Sequence, residues 1–277
     1  MIFAADSSAR LREERALKWL CVVALALTLV MNIIANTLRI GGFTTGEVSE
    51  RYVNYFTPAD FTFSIWIVIY GLLICYVAYQ FSPIRRRLFS LVDKDIFLRI
   101  GVLFIATCLM NIGWILAWHY RAIDASLLLI IALFVVLSMI VRQVHKATYE
   151  ERSTADYCCV VLPFMVYFGW ITIAVIANVK AWLVSIGWHP LFENQSFWLG
   201  AALFVGLSMG IWNSVYLRDL AYSLVLVWAV FGILIKHIVG DEGVGSHSAI
   251  VVLLAATLAV TIANAVGVGV LQYRHRA

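Results

Sequence analysis

The sequence predicts an all-α integral membrane protein with about eight spans. Three observations lead to this fold class: 63% of the 277 residues are hydrophobic, only 13% are charged, and the mean hydropathy is +0.91. A soluble domain carries about 25% charged residues, because its surface faces water. The apolar residues here also form continuous runs of about 20 residues, the length that crosses a bilayer. These runs do not alternate with polar residues, so helices are predicted rather than barrel strands.

Eight apolar runs follow one another along the chain. The first run is too long for the apolar part of a typical signal peptide and has no clear cleavage site, so we interpret it as a retained span. The seventh is the shortest. The runs cover residues 19–37, 61–81, 100–118, 125–141, 157–179, 197–216, 221–235 and 247–272.

The basic residues predict the orientation of these spans. With the N-terminus in the cytoplasm, fifteen of the twenty Lys and Arg residues fall on the cytoplasmic side, among them Arg85, Arg86 and Arg87. The five that fall outside include Arg39 and Lys236. Since Lys and Arg concentrate in cytoplasmic loops, we expect a multi-pass protein of the cell membrane with both termini in the cytoplasm.

Several functional classes lack the residues that they require. No ionisable residue lies in the middle of a run, which argues against a proton relay or an ion-coupled pump. No phosphate-binding loop, zinc-protease motif, nucleophile elbow or dinucleotide fingerprint is present, so we predict no enzyme of those classes. The five cysteines lie within or beside apolar runs, and we interpret them as small apolar residues. We predict no metal site, no resident cofactor and no nucleic-acid partner.

Two histidines flank a pair of acidic residues near the seventh run. His237 and His247 lie on either side of Asp241 and Glu242. A metal site is one interpretation of this segment. A solvated external loop is the interpretation that we favour.

Aromatic and amide residues form stripes on three of the predicted helices. Residues three, four or seven positions apart share a helix face. One interpretation is that these faces pack helices together, with amides bonding across them. The other is an apolar aromatic pocket for a flat hydrophobic ligand. The stripes are Trp66 and Tyr70 in the second run, Asn111, Trp114 and Trp118 in the third, and Tyr167, Trp170, Ala174 and Asn178 in the fifth.

A pair of glycines in the sixth run has the spacing of a helix-contact motif. Gly206 and Gly210 form a GxxxG sequence, which lets two helices approach closely. Packing within the chain and assembly into a homodimer explain this spacing equally well.

The stripes occur in motifs that resemble those of the tryptophan-rich sensory protein (TspO, peripheral benzodiazepine receptor-like) family. The second run contains a proline loop at Pro58 followed by Trp66-Ile-Val-Ile-Tyr70-Gly71. The third contains Asn111-Ile-Gly-Trp114, and the fifth contains Pro163, Trp170, Ala174 and Asn178. The segment from Gly42 to Glu47 is similar to a loop of longer bacterial members of the family.

This resemblance implies a five-helix membrane bundle over residues 17–182, followed by a three-helix extension over residues 196–273. Members of the family bind porphyrins, sterol-like molecules and other flat hydrophobic ligands beneath the first loop. Tyr55, Phe56 and Pro58 would then lie near the lid of such a site. The chain departs from the short members in its first loop, where tyrosine and phenylalanine replace tryptophans, and in its last three runs.

We therefore expect a membrane-embedded binding or sensory protein whose ligand is a tetrapyrrole or another flat apolar molecule. A transporter that uses all eight spans is one alternative. A regulatory partner of another membrane protein, without its own ligand, is another. Some family members are credited with degrading porphyrin through paired tryptophans, which correspond to Trp66 and Trp170; we expect no such catalysis, because the sequence supplies no metal, flavin or activated nucleophile.

Overall fold

The computed structural model describes residues 2–81, 94–148, 153–188, 190, 193–239 and 248–274. Within these residues eight helices are long and apolar enough to cross a membrane, which confirms the predicted fold class. A short helix, α2, lies in the first loop. The helices are α1 (Ile2–Thr37), α2 (Thr45–Arg51), α3 (Ile65–Tyr79), α4 (Lys94–His119), α5 (Ile123–Thr148), α6 (Leu162–Ser185), α7 (Gln195–Leu217), α8 (Leu220–Val239) and α9 (Ser248–Arg274).

Helix α6 is the central helix of the bundle. It packs against α3, α5, α7 and α8. Of the most apolar part of its span, 83% is buried inside the chain, whereas no other span exceeds 56%. The helix is entered through a wider π-helical turn, Tyr157–Val161. The outer helices instead expose large apolar side chains such as Ile67 and Phe204, as expected for surfaces in contact with lipid.

The first loop folds back over one end of the bundle, and we call its residues 45–64 the lid. Helix α2 of the lid begins with a capping box, in which Thr44 and Glu47 bond to each other's backbone N–H. A five-residue 3₁₀ turn, Asp60–Ser64, leads into α3. Just before the lid, Gly41 has a φ of 72°, and a Cβ there would overlap the carbonyl oxygen of His119, so glycine is required.

The N-terminal half of the lid is fixed by polar side chains of α1 and α4. Thr45 donates its backbone N–H to the side-chain oxygen of Asn36 at 3.1 Å, and its hydroxyl is 3.2 Å from Nε2 of His119. The indole N–H of Trp118 donates to the backbone oxygen of Thr45 at 3.1 Å. The ring of Tyr52 packs beside Trp118, and burial raises the pKa of its hydroxyl above the ordinary value.

The rest of the lid is fixed by α8, a helix of the predicted extension. The indole N–H of Trp228 donates to the backbone oxygen of Thr62 at 3.0 Å, and the N–H of Ala59 donates to the backbone oxygen of Gly232 at 3.1 Å. Lys236 pairs with Glu50 at 2.6 Å. The division into a core at 17–182 and an extension at 196–273 stays a prediction, but these contacts join the two parts across the lid.

The structure corrects the position predicted for His237. This residue lies in the last turns of α8 and is 1% exposed, not in a solvated loop. Its Nε2 is 2.8 Å from the backbone oxygen of Tyr55, whose ring packs edge-on against the imidazole at a centroid distance of 5.5 Å. The seventh apolar run ends at Ile235 in the sequence, but α8 continues to Val239 because the lid packs against its end. Asp241, Glu242 and His247 lie outside the described residues, as do Arg85, Arg86 and Arg87.

The two glycines of the GxxxG motif are buried inside the chain. A Cβ at Gly206 would meet Ile176 of α6 at 3.2 Å, and one at Gly210 would meet Leu226 of α8 at 2.6 Å. The motif therefore packs α7 against its own bundle. A homodimer stays a prediction, and these glycines do not provide its interface.

Candidate ligand chamber

The three aromatic stripes converge at the end of the bundle that the lid covers. The Trp66 ring lies between those of α4 and α6: its centroid is 5.9 Å from that of Trp114, 5.9 Å from Tyr167 and 6.3 Å from Trp170. Tyr70 stacks beneath it at 5.4 Å, and Trp118 continues the row beyond Trp114 at 6.0 Å. Helix periodicity placed each ring on its stripe, and the packing of α3, α4 and α6 brings the stripes together.

A cavity lies between these rings and the lid, and we call it the indole chamber. Its void measures about 40 Å³. Phe56, Pro58 and Phe63 contribute lid side chains, and Ala229 and Ile233 of α8 complete the wall. Its lining residues are Thr45, Ser49, Phe56, Pro58, Phe63, Trp66, Trp114, Trp118, Trp170, Ile173, Ala174, Ala177, Asn178, Ala229 and Ile233.

The deeper half of the stripes forms a hydrogen-bonded cluster instead of a cavity wall. The side-chain oxygen of Asn111 accepts from Asn32 at 2.9 Å and from the Tyr70 hydroxyl at 3.3 Å. Its side-chain nitrogen donates to the Tyr167 hydroxyl at 3.3 Å. Asn111 thus joins α1, α3, α4 and α6. For Tyr70, Asn111 and Tyr167 the structure supports the helix-packing interpretation. The stripe residues nearer the lid border the cavity instead.

Asn178 fixes the orientation of one chamber wall. Its side-chain oxygen accepts from the indole N–H of Trp114 at 3.3 Å and from the Ser126 hydroxyl at 2.8 Å. Its side-chain nitrogen donates to the backbone oxygen of Ala174 one turn earlier, at 2.9 Å. All polar atoms of this amide are therefore engaged, and Asn178 holds the Trp114 ring at its angle.

Trp170 differs from its neighbours because its indole nitrogen has no partner. The residue lines the chamber and is 4% exposed, and among the described residues no atom accepts from its N–H. A buried donor without an acceptor costs about 1–3 kcal/mol. Trp170 therefore brings to the chamber wall an indole N–H that has no partner and is itself buried.

The predicted site residues fall into three groups in the structure. Eight line the chamber: Phe56, Pro58, Trp66, Trp114, Trp118, Trp170, Ala174 and Asn178. Three belong to the cluster beneath it: Tyr70, Asn111 and Tyr167. Tyr55 lies in the lid, but its ring packs against His237 and does not line the cavity.

Sequence reasoning missed two positions that shape the candidate site, Asn32 and Trp228, and misplaced a third, His237. Asn32 is a buried amide within the first apolar run, and an Asn in such a run was a usable signal of a cross-helix bond. Trp228 and His237 have no signal in the sequence alone, because each contacts a backbone oxygen more than 160 residues away. Among the described residues, no group of three or more His, Cys, Asp or Glu side chains could hold a metal ion.

Comparison with known families adds the decisive observation. The model of the family described as TSPO-like protein matches residues 18–268, which includes the lid, all three stripes and most of the last three helices. The chain belongs to the TSPO-like protein family. In this TSPO-like protein the family model extends beyond the first five spans and also covers α7, α8 and most of α9. Searches of curated proteins and of solved structures find no significant match.

Proposed function

We propose that this TSPO-like protein binds a flat, largely hydrophobic molecule in the indole chamber and acts as a binding or sensory protein of the membrane. The observation that supports the proposal most directly is the unpartnered N–H of Trp170 in a wall otherwise made of aromatic and aliphatic side chains. Ligand sites are mostly apolar with a few placed polar groups. Indole faces offer large stacking surfaces to a planar ring system.

Binding requires the lid to move. A drug-sized ligand occupies a site of about 300–1,000 Å³, whereas the chamber void measures about 40 Å³. Phe56 and Pro58 line the chamber from the irregular part of the lid, and Phe63 lines it from the short 3₁₀ turn, so these are the side chains that we expect to be displaced. A porphyrin is the largest ligand that we consider, and a smaller flat ring needs less displacement.

Titration of the purified protein with protoporphyrin, followed by quenching of tryptophan fluorescence, tests the proposal. Removing tryptophans would change the signal as well as the site, so the test variant is Ala174→Leu, which fills the chamber and keeps all ten tryptophans. We expect it to weaken binding at least tenfold, because the added methylene groups occupy the void. Ala256→Leu, on the exposed face of α9, is the matched control and should bind like the wild type.

Equal quenching of wild type and Ala174→Leu would show that protoporphyrin binds elsewhere and would remove the proposed site. In a second test, the double variant Trp66→Ala, Trp170→Ala should lose the quenching component that saturates. Transport and regulation of a partner protein remain alternatives. Flux of a substrate into liposomes, or a stoichiometric partner in purified material, would identify them.

A further inference from the structure

We infer that the ligand of this protein has two parts: a flat ring that lies in the indole chamber and a hydrocarbon tail that lies in a second cavity among the last three helices. The inference depends on the proposed function of the chamber and narrows the class of ligand. It follows from the position, the shared wall and the chemistry of the second cavity.

The second cavity is lined by α6, α7, α8 and α9 together with one lid residue. Its void measures about 20 Å³. Gly206 lies in its wall, where α7 closely approaches Ile176 of α6. The lining residues are Phe56, Ile173, Leu203, Gly206, Leu207, Leu226, Ala229, Val230, Ile233, Thr257 and Thr261.

The two cavities share a wall. Phe56, Ile173, Ala229 and Ile233 line both of them. Phe56 belongs to the lid, so the displacement that admits a ring to the chamber also moves one of the four side chains that separate the cavities. Ala229 contributes only a methyl group to this wall. A thin chain attached to a ring in the chamber therefore has a short path into the second cavity.

The cavities differ in the chemistry of their walls. The chamber wall contains Trp170, whose indole N–H has no partner among the described residues. In the second cavity the hydroxyl side chains among the described residues are those of Thr257 and Thr261, which donate within their own helix to Leu253 at 2.8 Å and Leu258 at 2.9 Å. Because these donors are already engaged, the second cavity suits hydrocarbon, and an acceptor-bearing ring suits the chamber.

A pair of naphthoquinones that share a ring and differ in the tail provides the test. The tailless probe is 2,3-dimethyl-1,4-naphthoquinone, and the tailed probe is menaquinone-4, which carries an isoprenoid chain. Both have quinone oxygens that accept from an indole N–H, and neither has an open ring position that adds to a thiol. Each is titrated against the full-length protein in lipid nanodiscs, with quenching of tryptophan fluorescence as the readout.

Thr257→Leu and Thr261→Leu are the test variants, because each adds bulk to the second cavity without touching the chamber. Each should weaken binding of the tailed probe about fifteenfold, the effect of excluding about two methylene groups at roughly fourfold each. Binding of the tailless probe should stay within about twofold. Val266→Leu, at an exposed position of the same helix, should leave both affinities unchanged. Comparing variants rather than probes cancels the greater partitioning of the tailed probe into lipid.

Two outcomes would overturn the inference: an unchanged affinity of the tailed probe in both folded variants, or an equal loss of both probes. A third outcome separates the two proposals. If Ala174→Leu abolishes binding of the tailless probe, but Thr257→Leu and Thr261→Leu leave the affinity of the tailed probe unchanged, the proposed chamber is supported and the proposed tail cavity is wrong. If the wild type binds neither quinone nor protoporphyrin, the proposed function falls together with the inference.

Discussion

Two tryptophans of the chamber present the same ring in opposite hydrogen-bonding states. The N–H of Trp114 donates to Asn178, whereas the N–H of Trp170 has no acceptor among the described residues. Replacing either with phenylalanine removes a similar volume, so the difference between the two variants reports the hydrogen bond. At Trp114 the replacement breaks a bond, and at Trp170 it removes an unpaired donor.

We therefore expect Trp114→Phe to lower the free energy of unfolding by about 1 kcal/mol more than Trp170→Phe does. Unfolding in mixed micelles with increasing dodecyl sulfate measures both. For a ligand with an acceptor atom, Trp170→Phe should weaken binding, since the new bond is lost. Equal stabilities would mean that the Trp170 donor is satisfied in solution, for instance by water.

Asn111 is the residue whose loss should affect most helices at once. Asn111→Leu removes the cross-helix acceptor of Asn32, which keeps only its bond to Thr28 of its own helix, and the Asn111 partner of Tyr70 and Tyr167. Cross-helix bonds in membranes contribute about 0.6 kcal/mol on average and up to about 1.7, so we expect a loss of about 1–2 kcal/mol in the same assay. Asn213→Leu on α7 is the control: its amide bonds Met209 of its own helix and the Tyr222 hydroxyl of α8, one neighbouring helix instead of three, so it should cost less. Normal stability with a large loss of affinity would show that Asn111 acts in binding instead.

At the scale of single residues, the sequence predicted which side chains share a helix face but not which of them border a void. Trp66, Trp114 and Trp170 were correctly placed on facing stripes, because helical spacing alone determines that. Asn111 and Tyr167 lie on the same stripes yet form a packed cluster, since Asn32 of α1 fills the space beside them. Residues that border the void and residues in the packed cluster can be distinguished only from the packing of the four helices.

The lid comes into close contact with α8 at Gly232. A Cβ at Gly232 of α8 would overlap the side chain of Thr62, so the helix and the lid can meet only if residue 232 has no side chain. The backbone bond from Ala59 to Gly232 and the bond from Trp228 to Thr62 flank this contact. Lid and helix therefore form one packed unit.

Gly232→Ala should loosen the lid. We expect faster hydrogen–deuterium exchange in peptides that cover residues 45–64, because the new methyl group forces Thr62 away from α8. Gly267→Ala on α9 is the matched control: no atom lies within 4 Å of its Cβ position, so the change should leave the lid unaffected and favour the helix by about 0.5–1 kcal/mol. Identical exchange of the lid in both variants would contradict the described contact.

At the scale of elements, the eight spans could be predicted because lipid imposes a length and an apolar composition that are visible in the sequence. The end of α8 could not, since Lys236 and His237 look like residues of a polar loop. They are helical because Glu50 and the backbone of Tyr55, both in the lid, are their partners. Contacts between residues so far apart in the chain produce no periodic pattern in the sequence.

For the whole molecule, the distribution of basic residues predicts a lid on the outer side of the membrane and termini in the cytoplasm. A fluorescent protein fused to the C-terminus should therefore fluoresce in intact cells, and alkaline phosphatase fused there should be inactive. A single accessible cysteine introduced at Arg39, after removal of the native ones, should react with a membrane-impermeant maleimide. An inactive fluorescent fusion, an active phosphatase fusion and no labelling at residue 39 would instead place the lid and the chamber on the cytoplasmic side.

The anchoring of residues 45–64 on α8 also sets an order of events during synthesis. Trp228 and His237 lie 166 and 182 positions after the lid residues that they hold. A nascent chain whose first six spans are already inserted still lacks both anchors, so the part of the lid that they hold stays unfastened over the indole chamber until the seventh span enters the bilayer. A molecule captured at that stage would be enclosed by translation itself, without any later opening.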